Sequence, residues 1–233
     1  MPRQLTLDLP VRPALGRDDF FVSPANALAV AMIDAPQSWP LGKLLIAGPE
    51  GSGKSHLATV WATQAGAVTL AADDLEGADP DALAQGALVI EDAGRVAGRR
   101  AAEEALFHLH NLMLSRGHRL LLTARCEPRQ WALTLPDLKS RLEGTALARL
   151  EPPDDALLAA VILKLFADRQ IQVPPTLVSY LVARIDRSFA AARKLVAALD
   201  ARALAHGRPV SRALAAELLD SPGPGAQTWG AQT

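Results

Sequence analysis

Residues 44–57 read LLIAGPEGSGKSHL, and two physical signals meet inside them. Leu44 to Ala47 form an unbroken apolar run, the pattern of a strand covered on both faces. Gly48, Gly53, Lys54 and Ser55 then satisfy the spacing G-x-x-x-x-G-K-S ahead of a helix-compatible segment. Glycines there let backbone N–H groups curl around phosphate oxygens, a lysine reaches the outer phosphates, and the following hydroxyl holds magnesium. Gly48, Gly51, Ser52, Gly53, Lys54, Ser55 and His56 are therefore the expected cradle for ADP or ATP with Mg2+.

Outward from that cradle, β-rich runs recur at residues 43–48, 67–73, 87–92 and 119–125, each buried-looking, with a weaker fifth at 145–153. Helix-compatible segments such as RAAEEALFHLHNLMLSRG (100–117) separate them, which predicts a parallel α/β sheet covered on both faces over residues 20–152. From Asp154 the pattern is helical only, with Pro174 and Pro175 at one helix start and Gly207 past one helix end. A small all-helical lid domain over 153–220 is expected, followed by a Pro- and Gly-rich disordered tail at 221–233. The polar stretch VRPALGRDDFF (11–21) reads as a tether, so residues 1–19 are expected to be flexible.

A phosphate site of this kind needs an acidic group at the end of a neighbouring buried strand to organise magnesium and water. Glu91 and Asp92, closing ALVIED (87–92), supply it, with Glu91 and Ser55 as the expected metal ligands. Composition narrows the rest. Twenty-four Lys and Arg oppose twenty-five Asp and Glu, so no basic excess advertises general nucleic-acid binding. The single cysteine, Cys126, excludes an internal disulfide and fits a reducing cytoplasm. No apolar run reaches membrane-span length, and no signal-peptide layout is present, so a cytoplasmic location is expected. His108 and His110, two apart on a helix, make a poor metal pair and read as surface or partly packed residues. Trp39, Trp61 and Trp131 read as packing or hinge residues.

Four stretches carry a family resemblance. GKSHL (53–57), FFVSPANALAVA (20–31), LPDLKSRLEG (135–144) and LEPPDD (150–155) resemble the AAA+ ATPases related to the bacterial replication initiator DnaA, a family that includes the short paralogue Hda. The resemblance runs from about Phe20 to Leu219, and RQWALTLPDLKSRLEG (129–144) is particularly close to the paralogue. It implies a nucleotide-binding α/β domain with a helical lid. It also implies that Phe21 and Asn26 line the nucleotide pocket, that Arg141 is an arginine finger serving a neighbouring subunit, and that Arg193 senses bound nucleotide from the lid. From the residues alone each arginine has a plainer reading: Arg193 as a solvated residue of an amphipathic helix, Arg141 as a cation at a helix C-terminus.

Two departures shape the expected activity. Where the family ends its fourth strand with a small polar residue and an acid, LLLTARCEP (120–128) has Thr123, able to orient water, then Ala124 and Arg125. With Glu91 in place of the usual Asp, this implies firm nucleotide binding and at most a weak intrinsic ATPase. No helix-turn-helix pattern follows Leu219, so no sequence-specific DNA-binding domain is expected.

Near the start, QLTLDL (4–9) resembles the Gln-Leu-x-Leu peptides that bind the sliding clamp (beta subunit) of the replicative polymerase. Gln4 is the expected polar anchor, with Leu5, Leu7 and Leu9 filling an apolar groove. Together these resemblances imply a negative regulator of replication initiation that binds the clamp and stimulates hydrolysis of initiator-bound ATP through Arg141. Head-to-tail packing of subunits, with the initiator or with further copies of itself, goes with such a finger. The alternatives are an initiator-like helicase loader or adaptor on single-stranded DNA, and a non-catalytic nucleotide-dependent scaffold.

Overall fold

The structure, a computed structural model, describes residues 21–220 of the 233-residue chain. The peptide at Gln4, Leu5, Leu7 and Leu9, its tether, and the 221–233 segment with Trp229 lie outside the described residues.

Five strands, β1 (Lys43–Ala47), β2 (Val68–Ala71), β3 (Leu88–Glu91), β4 (Leu120–Ala124) and β5 (Ala146–Arg149), form one sheet in the order β2-β3-β4-β1-β5, with every pairing parallel. Alternation sorts their side chains. Leu45, Ala47, Leu88, Ile90, Leu120 and Leu122 enter one apolar cluster, while Leu44, Ile46, Val89 and Leu121 enter another on the opposite face. Because both faces are covered, the central strands read as continuous apolar runs.

One face is covered by α1 (Ala27–Asp34) and α2 (Lys54–Ala65), through Val30, Ile33, Leu57 and Trp61. The other is covered by α4 (Arg100–Ser115) and α5 (Pro136–Glu143), with the one-turn α3 (Pro80–Leu83) beside them. Trp39 and Trp61 pack with centroids 4.9 Å apart, and Trp131 is buried in the α4 cluster. All three tryptophans are packing residues.

Two sequence expectations change. β2 is an exposed edge strand, since among the described residues nothing pairs with its outer side, and Val68 stands open to solvent. His110 is fully buried: positions 102, 103, 106, 109, 110 and 113 form the inward stripe of α4, so residue 110 falls on the core side. Its Nε2 lies 2.7 Å from the Nζ of Lys43, itself buried at the start of β1. Burial, and then the Lys43 charge, push the His110 pKa down to about 4. The imidazole is therefore neutral at pH 7 and accepts from the lysine.

Four further helices, α6 (Asp155–Ala167), α7 (Pro175–Val182), α8 (Phe189–His206) and α9 (Arg212–Asp220), close round their own apolar cluster, centred on Leu158, Ile162, Phe166, Leu181, Leu195 and Leu199. Local signals start and stop them. The Asp154 carboxylate accepts from Leu157 N–H at 2.8 Å to cap α6, and the Ser188 hydroxyl accepts from Ala191 N–H at 3.0 Å to cap α8. Gly207, at φ 58°, ends α8 in the left-handed conformation that glycine adopts without strain. No helix among the described residues is long and apolar enough to cross a membrane.

Candidate functional site

The loop between β1 and α2 is held from three sides. Gly48 N–H donates to Ala124 O at 3.2 Å, tying the loop to the end of β4. A Cβ on Gly48 would stand 2.4 Å from Leu150 O, so only glycine lets β1 pass that close to the segment after β5. Gly51 and Gly53 take φ values of 76° and 96°, left-handed conformations that glycine adopts without strain. On the third side Phe189 N–H, at the first residue of α8, donates to Gly51 O at 2.9 Å, so the helical group grips the loop directly.

Lys54 and Ser55 open α2, whose first turn presents amide donors with no partner inside the helix. Lys54 is buried, and its ammonium is folded back, donating to Gly48 O at 2.8 Å and Pro49 O at 2.7 Å. Burial lowers its pKa, while Asp92 opposes that shift. The Ser52 hydroxyl is buried with no hydrogen-bond partner among the described residues. A loop with no room for a Cβ at Gly48 and Gly51, an orphaned hydroxyl and a cation resting on its own loop carbonyls fit a polyphosphate. Ser55 and Asp92 would hold the Mg2+, which supplies charge neutralisation when bound.

In front of the loop lies a cleft of about 450 Å³. It brings together Phe21, Gly51, Gly53, Lys54, Ser55, His56, Asp92 and Arg193 from the expected set. Arg193 reaches it from α8, one turn beyond Phe189, and is exposed with no ion pair among the described residues. Asn26 does not line the cleft; its side chain donates to Phe21 O at 2.9 Å and accepts from Ser23 N–H at 2.9 Å, shaping the segment that carries Phe21.

Two of the chemical assignments shift. Asp92 lines the cleft and Glu91 does not, because β3 ends at Glu91 and Asp92 turns off it at φ 52°. Thr123 is buried, and its hydroxyl accepts from Asp92 N–H at 3.0 Å. It fixes the Asp92 backbone rather than facing the cleft. Arg141 is also away from it, exposed on the last turn of α5 with no ion pair among the described residues.

Motif reasoning passed over the α6 wall. Leu157, Val161 and Leu165 face the cleft while the adjacent stripe Leu158, Ile162 and Phe166 faces the helical core. Two neighbouring apolar stripes on one helix, more than one core requires, were the signal available. Lys164 and Asp168, paired at 3.3 Å, stand at the same wall, and Glu50 and Arg125 at the phosphate end.

A P-loop on a parallel 2-3-4-1-5 sheet, gripped by a four-helix group that sends an arginine into the cleft, defines an AAA+ nucleotide-binding fold. Comparison with solved structures agrees. Domain III of the Thermotoga maritima initiator DnaA superposes with a TM-score of 0.76, covering 91% of this chain and 98% of that one at 21% identity. A structure of DnaA bound to AMPPCP and single-stranded DNA gives 0.72, covering 82% and 66% at 18% identity. The Thermotoga maritima branch-migration motor RuvB gives 0.69, covering 90% and 73% at 20% identity. Among curated sequences, DnaA of Caulobacter sp. strain K31 is 30% identical over 228 residues, covering 84% of this chain and 45% of the relative. DnaA of Sphingopyxis alaskensis is 28% identical over 215 residues, covering 81% and 46%. No family model matches. Over most of its length the chain is homologous to DnaA and has the fold of that protein's AAA+ domain III, and it spans about half the length, or less, of the curated relatives it matches.

Proposed function

We propose that this protein is a nucleotide-binding negative regulator of replication initiation, stimulating hydrolysis of ATP bound to DnaA through Arg141. The observation that carries the reading is the placement of Arg141: exposed, outside its own cleft, and free of ion pairs among the described residues. An arginine so placed is available to the nucleotide of a second subunit packed head to tail. Fingers of this kind are worth about three to five orders of magnitude in rate in other nucleotidases.

Its own cleft supports firm binding of ADP or ATP with Mg2+ and slow turnover, since Thr123 is committed to the Asp92 backbone and the residues that follow it, Ala124 and Arg125, supply no acid. Residues 20–152 form the nucleotide-binding domain and 153–220 the lid in this reading. Gln4, Leu5, Leu7 and Leu9 dock on the sliding clamp, which concentrates the protein where the clamp is loaded on DNA.

The test is hydrolysis of DnaA-bound ATP with the ADP form of this protein, with and without DNA-loaded clamp. Clamp-dependent hydrolysis that vanishes in Arg141→Ala, and when Gln4 and Leu5 become Ala, is expected. Absence of stimulation under every condition overturns the reading. A second reading, an adaptor acting on single-stranded DNA, draws support from the DnaA relative solved with such a strand. Strand binding by this protein without any effect on DnaA-bound ATP would favour it.

A further inference from the structure

A buried ammonium without a counter-charge stands at the foot of the sheet, unused by the proposed activity. Lys43, at the start of β1, is 4% exposed, and its Nζ donates at 2.7 Å to the neutral imidazole of His110. A buried charge ordinarily carries an opposite one. Among the described residues none does so here: burial and then Arg141 lower the Lys43 pKa, while burial, Lys43 and Arg141 lower that of His110, with no carboxylate acting on either.

Strand register brings Arg141 to the same place. Leu44 pairs with Ala146, so Lys43 and Thr145 stand side by side at the foot of β1 and β5. Thr145 is buried, and its hydroxyl donates to Arg141 O at 3.0 Å, which ties the last turn of α5 to that spot. α4 packs against α5 and carries His110 on its inward stripe, on the same face of the sheet. The Lys43 ammonium therefore lies beneath the helix end from which Arg141 reaches solvent.

We infer that Lys43 and His110 are positioning residues for Arg141, a buried positive charge that keeps the guanidinium off its own subunit and extended toward a neighbour's phosphates. The inference rests on the finger reading of Arg141 and deepens it. Like charges repel more strongly where water is partly excluded, so a guanidinium folded back onto the foot of β1 is disfavoured. His110 suits its part. As a neutral acceptor it satisfies the ammonium without cancelling its charge, which a carboxylate in its place would do. Lys43 is buried and meets no partner subunit, so it acts only through Arg141.

The experiment follows hydrolysis of DnaA-bound ATP against the concentration of the full chain in its ADP form, with DNA-loaded clamp. Wild type is compared with Lys43→Met, His110→Gln, His110→Glu and the double variant Lys43→Met with His110→Leu. Loss of the charge in Lys43→Met, and its cancellation in His110→Glu, should each lower the maximal rate about three- to tenfold, the scale of one screened like-charge interaction near a surface. The half-saturating concentration should stay within about twofold, and His110→Gln, which keeps acceptor and charge, should match wild type in both. An apolar pair in place of a buried polar one is close to neutral for folding, so the double variant should melt near wild type yet lose rate like Lys43→Met. Thermal melts accompany every variant. A folded double variant with the wild-type maximal rate overturns the positioning role and leaves the finger standing if Arg141→Ala is inactive. A half-saturation that rises at unchanged maximal rate also overturns it, by making the pair part of the docking surface. If wild type stimulates nothing, the finger reading falls, and phenylglyoxal labelling of the chain alone, mapped by mass spectrometry, decides whether the pair still holds Arg141 out. Slower labelling of Arg141 in Lys43→Met and in His110→Glu, with the other exposed arginines unchanged, supports that; equal labelling overturns it.

Discussion

Glu103 is fully buried on α4, yet it is a charge with a complete set of partners. Its carboxylate accepts from Gly98 N–H at 2.9 Å, Leu135 N–H at 2.8 Å, Thr134 N–H at 3.0 Å and the Thr134 hydroxyl at 2.9 Å. The last three belong to the segment immediately before α5, so this one side chain staples the helix that bears Arg141 to α4. Glu103→Ala removes the acceptor of three backbone amides and one hydroxyl. Each orphaned buried donor costs about 1–3 kcal/mol, with water entering the vacated space limiting the sum to roughly 4 kcal/mol. Glu103→Gln keeps one oxygen but turns an NH2 toward donors, for about 2 kcal/mol. At about 2–4 °C per kcal/mol for a chain of this size, melting by circular dichroism should fall by about 4–8 °C in the amide variant and about twice that in the alanine variant.

The same staple has a pH signature. Burial alone raises the Glu103 pKa, but the hydrogen bonds from Thr134, Gly98 and Leu135 outweigh it and hold the group below its usual value of 4.5. A depressed carboxylate pKa stabilises the fold above the unfolded-state value, and that stabilisation is lost as pH falls through the folded-state value. Wild type should therefore lose stability below about pH 4.5 more steeply than Glu103→Gln, which has nothing to titrate there. An amide variant melting within about 1 °C of wild type at pH 7, with an unchanged acid limb, would refute the account of this carboxylate.

Three further outcomes are expected. His110→Gln, whose amide oxygen still accepts from Lys43, removes a group held neutral by burial; wild type should lose stability as pH falls from 6.5 toward about 4, where the folded imidazole takes its proton, and the variant should lose less. Urea midpoints at pH 7 and pH 5 measure this, and the His110 share has an upper bound of roughly 3 kcal/mol over the full window. Gly51→Ala places a methyl 2.6 Å from the Ser188 Cβ at a φ of 76°, so it should part α8 from the P-loop, weaken ADP binding and cost about 1–3 kcal/mol in urea melts. Arg141→Ala, exposed and unpaired among the described residues, should leave the melting temperature within about 2 °C of wild type, so any loss of stimulation it causes is not a loss of fold.

Much of this molecule was legible as sequence because its rules are local. An apolar run covered on both faces, the glycines at 48, 51 and 53 and the stop at Gly207 each act within a few residues. All five strands and the long helices of the second half follow from that periodicity. The phosphate cradle was equally readable, since one continuous loop builds it. The edge position of β2 was not, because Val-Thr-Leu-Ala reads alike in the middle or at the margin of a sheet and only strand order assigns the margin.

Side-chain direction and long-range partnership belong to the tertiary structure. Glu91 and Asp92 are adjacent acids in sequence, and only the turn at φ 52° sends the second into the cleft. Thr123 stands at the end of a buried strand, yet its hydroxyl is taken by an amide thirty-one residues away. Glu50 and Arg125, Glu103 and Thr134, and Lys43 and His110 are each brought together from different elements. Local periodicity fixes which face of an element is apolar. It carries no information about which distant group will satisfy a charge, because that pairing exists only once sheet order and helix docking have set two elements side by side.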